Sequence, residues 1–234
     1  MALLFNPRLL SRNSLLAFRR MSDNVHGTIS SGQAVDRRSL FASVQTLGDT
    51  FESQGQKHLL NSEGAILAQS LAARKEYDLS SIIYGILIKR NKENPFLLEE
   101  FAKKALASAK KTKDAIHIMA RADDLNNLYR ITEYGSKKHL KVLFEEKNAL
   151  LSIINNYEGA IRNYRTISRK PLSKEHYEFM LCGIRMEIAK ILEAEYPLQA
   201  IKELEAAQRL ISKYGEGTLT YRISNLLDRA YSGL

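Results

Sequence analysis

Tryptophan is absent from this 234-residue chain, cysteine occurs once and proline four times. A lone cysteine, Cys182, rules out a disulfide within the chain and is the usage of a reducing compartment. It falls beside the apolar stripe of its segment, where an unreactive buried thiol is expected rather than a nucleophile. Long apolar runs are missing as well. The longest, from Ile82 to Ile88, is seven residues and is interrupted by Gly85, whereas a membrane span needs about 20. No bilayer crossing is therefore expected.

Chemistry-bearing patterns are equally scarce. The five histidines (His26, His58, His117, His139, His176) are scattered and show no ligand spacing of the H-E-x-x-H kind. His58 and His117 border apolar stripes and are expected to be structural. Gly215 and Gly217 form the densest glycine cluster, but no Lys-Ser/Thr follows as in a phosphate loop, so a turn is expected. The acidic pairs Glu99-Glu100, Asp123-Asp124 and Glu145-Glu146 consist of adjacent side chains that diverge on a helix, with lysines close by. Solvated helix faces account for them better than acid–base work does. No catalytic, cofactor-binding or metal-binding residue emerges, and an enzyme is not expected.

What the chain does contain is helical periodicity. It is 44% hydrophobic and 26% charged, the balance of a mostly helical domain with a core of its own. In 136–154, Leu140, Leu143, Phe144, Leu150, Leu151 and Ile154 share one face at three-and-four spacing. Asn155 and Asn156 offer a turn, and Tyr157, Ala160, Ile161, Tyr164 and Ile167 form a second stripe. About forty residues later the plan recurs. Tyr177, Leu181, Ile184, Ile188, Ile191 and Leu192 precede Ala200, Ile201, Leu204, Ala207 and Ile211. Ala149 aligns with Ala189 and Ala160 with Ala200, small residues that let neighbouring helices approach closely. One hairpin cannot cover both of its stripes, so neighbours must.

These second helices carry a small–x3–bulky–x2–small/apolar spacing: Ala160, Tyr164, Ile167, then Ala200, Leu204, Ala207, with Ser80, Tyr84, Leu87 in 76–95. In this the chain resembles the tetratricopeptide repeat family over roughly 56–231, although the family's Trp and first-helix Leu-Gly are missing and the period is nearer forty than 34. The resemblance implies an all-α fold: a right-handed α-solenoid of about four helical hairpins with a C-terminal capping helix. A non-repetitive helical bundle is the alternative. Some relatives grip a C-terminal carboxylate through Lys and Asn on successive first helices. Lys57-x3-Asn61 has the starting spacing, but 95–109 holds no asparagine to continue it.

Boundaries follow from caps and breakers. Asp36 is placed to cap a helix carrying Leu40, Phe41, Val44, Leu47 and Phe51. Asn94-Pro95 reads as a cap followed by the favoured first helical residue. Asp123-Asp124 is a point where 114–133 could split, Gly135 suits a helix C-terminus, and Pro171 and Pro197 mark later starts. Helix 218–231 is placed to cover the last hairpin.

The formal charge is +9. Four of those charges are Arg8, Arg12, Arg19 and Arg20, with no acid before Asp23, which leaves +5 for the rest. Residues 1–22, arginine- and leucine-rich, read as a mitochondrial presequence with processing near Met21. Met21 as the true start, giving a cytoplasmic protein, is the competing reading. Residues 23–35 read as a flexible linker and 36–234 as the helical-repeat domain.

The expected function is a non-catalytic scaffold, adaptor or assembly factor holding a partner peptide or helix on a concave surface. RNA binding by basic clusters is the alternative. The candidate partner-binding residues are Lys103, Lys104, Tyr129, Arg130, Lys137, Lys138 and Lys141, with Tyr134 among them. Solvated lysine faces would explain the same clusters.

Overall fold

The computed structural model describes residues 7–163, 172–215 and 217–232. Among them the protein is all-helical, with eleven α-helices, one 3-10 turn and no strand. No described helix is long and apolar enough to cross a membrane. The chain divides into two compact units, 1–112 and 113–234, where the sequence suggested one continuous repeat domain from 36.

The first unit holds α1 (Pro7–Ser30), α2 (Arg37–Ser53), α3 (Lys57–Ala73), α4 (Tyr77–Arg90) and α5 (Pro95–Thr112). Asp36 caps α2 by accepting from the Arg38 N–H at 3.0 Å, and Asn94 caps α5 by accepting from the Leu97 N–H at 3.2 Å. Helix α3 packs on α4 and α4 on α5, while α2 leans on both α3 and α4. The core runs through Val44, Phe51, Leu60, Leu67, Ile83 and Leu87, all sealed from water; each such side chain contributes about 1.5–3 kcal/mol. Arg90 ties α4 to α2: its guanidinium donates to the Gln45 carbonyl at 2.9 Å and pairs with Asp49 at 2.6 Å and Glu52 at 2.7 Å. Asn61 is partly buried and committed within the unit. It exchanges two side-chain hydrogen bonds with Asn91, at 3.0 and 2.8 Å, so the Lys57–Asn61 pair starts no carboxylate clamp.

The N-terminal segment departs from expectation. Helix α1 runs unbroken to Ser30, so 23–30 is not the irregular linker its Gly, Ser and Asn content suggested. Tertiary contacts override local propensity here. Phe18 is buried and tilted against Phe51, ring centroids 6.3 Å apart, and Val25 is buried too. Further anchors are Arg19 to Glu63 at 3.0 Å, Arg74 to the Ser30 hydroxyl at 2.8 Å, and His26 against Ser70 at 2.7 Å.

The second unit holds α6 (Ala115–Thr132), α7 (Lys137–Asn155), α8 (Tyr157–Asn163), α9 (Lys174–Leu192), α10 (Pro197–Ile211) and α11 (Thr218–Ser232), with a 3-10 turn, Ser212–Tyr214, after α10. Helix α6 is continuous through Asp123-Asp124. Gly135 adopts φ +76°, the left-handed turn that lets α7 start at once, where the Ser136 hydroxyl accepts from the His139 N–H. Packing then follows chain order: α6 on α7, α7 on α9, α9 on α10, α10 on α11. The aligned alanines Ala149, Ala189 and Ala200 are all buried in one core with Leu143, Leu150, Leu181, Ile188 and Leu204. Helix α11 adds Ile223, Leu227 and Ala230 to that core and packs on α10. Tyr164, Ile167, Pro171 and Glu216 lie outside the described residues, and Tyr164 and Ile167 are two of the five residues of one second-helix stripe.

Candidate functional site

The sequence-chosen cations divide once their neighbours are seen. In the first unit Lys103 pairs with Glu99 at 2.6 Å and Lys104 with Glu100 at 2.5 Å, both one helical turn away on α5. Such exposed pairs contribute a few tenths of a kcal/mol and blunt the positive face. In the second unit Lys138 pairs with Glu133 at 2.8 Å. Lys137 and Lys141, on the first turns of α7, are exposed and have no ion-pair partner among the described residues. Tyr129 is only 2% exposed. It belongs to the apolar stripe of α6 with Ala122 and Leu125, so its ring cannot stack on a base, and that expectation is corrected.

Arg130 is different: it helps build a recess of about 290 Å³ in the second unit. Helix α9 supplies Gly183, Met186, Glu187 and Lys190, at the spacing that puts four side chains on one helical face. Arg130 comes from the end of α6 and Tyr134 from the turn after it, and Leu219 and Arg222 come from the first turns of α11. Arg130 donates to both Glu187 oxygens, Nε to Oε1 at 2.9 Å and a terminal N–H to Oε2 at 2.5 Å. This two-pronged grip lifts the Arg130 pKa further. Lys190 and Arg222 are exposed and make no ion pair among the described residues. Three cations against one carboxylate leave the lining at +2.

Gly183 stands out within that lining. It sits mid-helix in α9, is exposed, and a Cβ placed on it would meet nothing within 4 Å. A mid-helix glycine costs about 1 kcal/mol relative to alanine, and no neighbour among the described residues requires the missing side chain.

Behind the recess lies a buried polar relay. The Gly135 N–H donates to His139 Nδ1 at 3.2 Å, so the ring proton sits on Nε2 and donates to Asn126 Oδ1 at 3.0 Å. Asn126 Nδ2 in turn donates to Glu146 Oε2 at 2.9 Å. Each group has one role consistent with its neighbours. All three side chains are sealed from solvent. Burial, with Asp123 and Glu187 nearby, pushes the Glu146 carboxyl up to about 8, so it is neutral at pH 7. Burial also lowers the His139 pKa, Glu187 pulling the other way and Arg130 adding to the drop. The relay meets the recess where His139 Nε2 lies 3.7 Å from Glu187 Oε1 and its ring 5.4 Å from that of Tyr134.

Glu146 thereby overturns one sequence expectation, since it is no solvated helix face. Glu99 and Glu100 hold lysines one turn away, whereas Asp123 and Asp124 are half-buried, Asp124 paired with Arg121 at 2.9 Å and the Asp123 pKa raised by burial. His117 is buried, while His58 is exposed. Cys182 is buried, its thiol directed at the Ala207 carbonyl at 3.6 Å, and burial raises its pKa to about 11. It is inert at neutral pH. No group of three His, Cys, Asp or Glu among the described residues could hold a metal ion. Sequence reading missed Gly183, Glu187, Lys190 and Arg222. The one signal available was the Gly183, Glu187, Lys190 spacing on one face of α9.

No protein-family model matches this chain, and no curated protein matches it either.

Proposed function

We propose that this protein is a non-catalytic interaction module, a scaffold or adaptor that holds a peptide or helix from a partner protein. The observation that carries the reading is the recess on α9, where Lys190 and Arg222, without an ion-pair partner among the described residues, occur together with the partly exposed Leu219 and an open position at Gly183. Peptide recognition combines these two elements, an apolar anchor and a few placed polar groups. Large exposed side chains such as Tyr134, Tyr221, Leu198 and Ile131 add surface of the kind partners cover.

The finer architecture belongs to the same proposal. A right-handed solenoid of about four tetratricopeptide-like hairpins draws support from the chain-order packing within each unit and from the buried alanines at matched repeat positions. Work inside mitochondria as an assembly factor, or in the cytoplasm, is compatible with such a module. RNA binding has less behind it, because Tyr129 is buried and Lys103, Lys104 and Lys138 are paired.

A photocrosslinking amino acid installed at Tyr134 tests the proposal in the source cells. Discrete protein adducts that survive RNase treatment are expected. Adducts that RNase removes, or none, would contradict it.

A further inference from the structure

The unexplained glycine and the unpaired cations occupy one face. A side chain at Gly183 would point into open space bounded by Met186 and Leu219, with Lys190 a further turn along α9 and Arg222 a turn along α11. The arrangement leaves open space at Gly183, edged by the partly exposed Leu219, beside two cations that have no ion-pair partner among the described residues. Arg130, the third cation, is already held by Glu187 and so frames the seat rather than serving as a free anion partner.

We propose that this recess binds an acidic segment of a partner protein, seating one of its apolar side chains over Gly183 and its carboxylates on Lys190 and Arg222. The inference rests on the interaction-module reading above and names the class of partner. Charge complementarity selects an anion, and the open position at Gly183 with the partly exposed Leu219 takes a side chain such as Leu, Met or Phe next to the acid. A nucleic acid fits less well. Its affinity grows with the number of phosphates neutralised, whereas this lining offers two free cations and a fixed carboxylate, Glu187, that would face the backbone.

The test is selection of random phage-displayed peptides on the full chain, followed by fluorescence polarisation of the enriched peptides. Wild type, Gly183→Leu and a Lys190→Ala/Arg222→Ala double variant are compared, with melting curves for each. A labelled uridine-rich single-stranded RNA is run in parallel. Enriched peptides should pair Asp or Glu with a neighbouring apolar residue. Both variants should weaken them by about tenfold or more, while Gly183→Leu melts no lower than wild type because leucine is the better helix former. Enriched peptides that bind both variants as well as wild type would overturn the recess assignment and leave the module reading standing. Peptides without acids would overturn the partner class. RNA binding lost in the variants, with no peptide enriched, would replace the protein partner by nucleic acid. Silence from both probes would overturn the inference together with the module reading.

Discussion

Arg130 and Glu187, 57 residues apart in sequence, meet as a two-pronged ion pair on the wall of the recess, and His139 Nε2 stands 3.7 Å from the same Glu187 oxygen that accepts from Arg130 Nε. The exposed recess and the sealed relay therefore share one carboxylate.

That sharing makes His139 a reporter. Arg130 disfavours its imidazolium and Glu187 favours it. In Arg130→Met the repulsion disappears and the His139 titration midpoint should rise. In Glu187→Gln the attraction disappears and the midpoint should fall. NMR titration of the ring reads both, and a midpoint that ignores both substitutions would show that pair and relay are uncoupled. With Arg130 about half exposed, 47%, its loss should cost only about 1 kcal/mol of stability.

Glu146 sets a pH dependence of opposite sign to the usual carboxylate. Its folded pKa is raised from 4.5 to about 8, so the native state holds a proton that the unfolded chain releases. Its contribution to stability consequently falls as pH rises through that window. Glu146→Gln keeps an acceptor for Asn126 and cannot ionise. The variant should match wild type below pH 4.5 and exceed it increasingly up to pH 8, by an amount on the order of 2–4 kcal/mol. His139 works from the other side. Its lowered pKa means that stability is lost as pH falls below about 6.5. Urea titrations at several pH values check both signs.

Helix α1 should be structural. A chain beginning at Ser22 loses Phe18 from against Phe51, along with the Arg19–Glu63 pair. Removing a buried Phe typically costs about 3–5 kcal/mol, so the first unit should unfold at distinctly lower urea. Phe18→Ala should reproduce most of that loss. A truncated chain as stable as full length would show that α1 is dispensable and leave processing near Met21 without structural consequence.

Glu203 holds two cations at once, Lys147 at 2.6 Å and Arg185 at 2.5 Å, all three groups 12–15% exposed. Glu203→Gln leaves both cations desolvated with no balancing anion and should cost about 3 kcal/mol. Adding Lys147→Met should recover part of that loss, since one stranded charge is then gone. A further loss in the double variant would show that Lys147 stabilises through its ammonium seated over the Phe144 ring, 4.4 Å from the centroid, rather than through Glu203.

Helices were readable from sequence wherever apolar residues kept a three-and-four period, and most sharply where a cap stood at the start: Asp36 and Asn94 each sit where a helix opens. The last third of α1 was not, because Gly27 and its polar neighbours favour irregular chain and the contacts that hold it, Ser70 and Arg74, lie 44 residues away. The lysine clusters misled for a local reason. Glu99 and Glu100 stand four residues before Lys103 and Lys104, and that spacing already announces paired, neutralised faces. Tyr129 likewise kept the period of its buried stripe. The recess escaped notice because its cations come singly from three helices, and clustering in space leaves no cluster in sequence.

The most direct measurement is a charge exchange at the recess. Lys190→Glu/Arg222→Glu should abolish binding of an acidic–apolar peptide that wild type binds, and should gain binding of the same peptide with its acids replaced by lysine. Loss with reciprocal rescue would place the carboxylates on these two residues. Unchanged binding of the acidic peptide by the reversed variant would contradict the assignment and move the partner surface elsewhere on the chain.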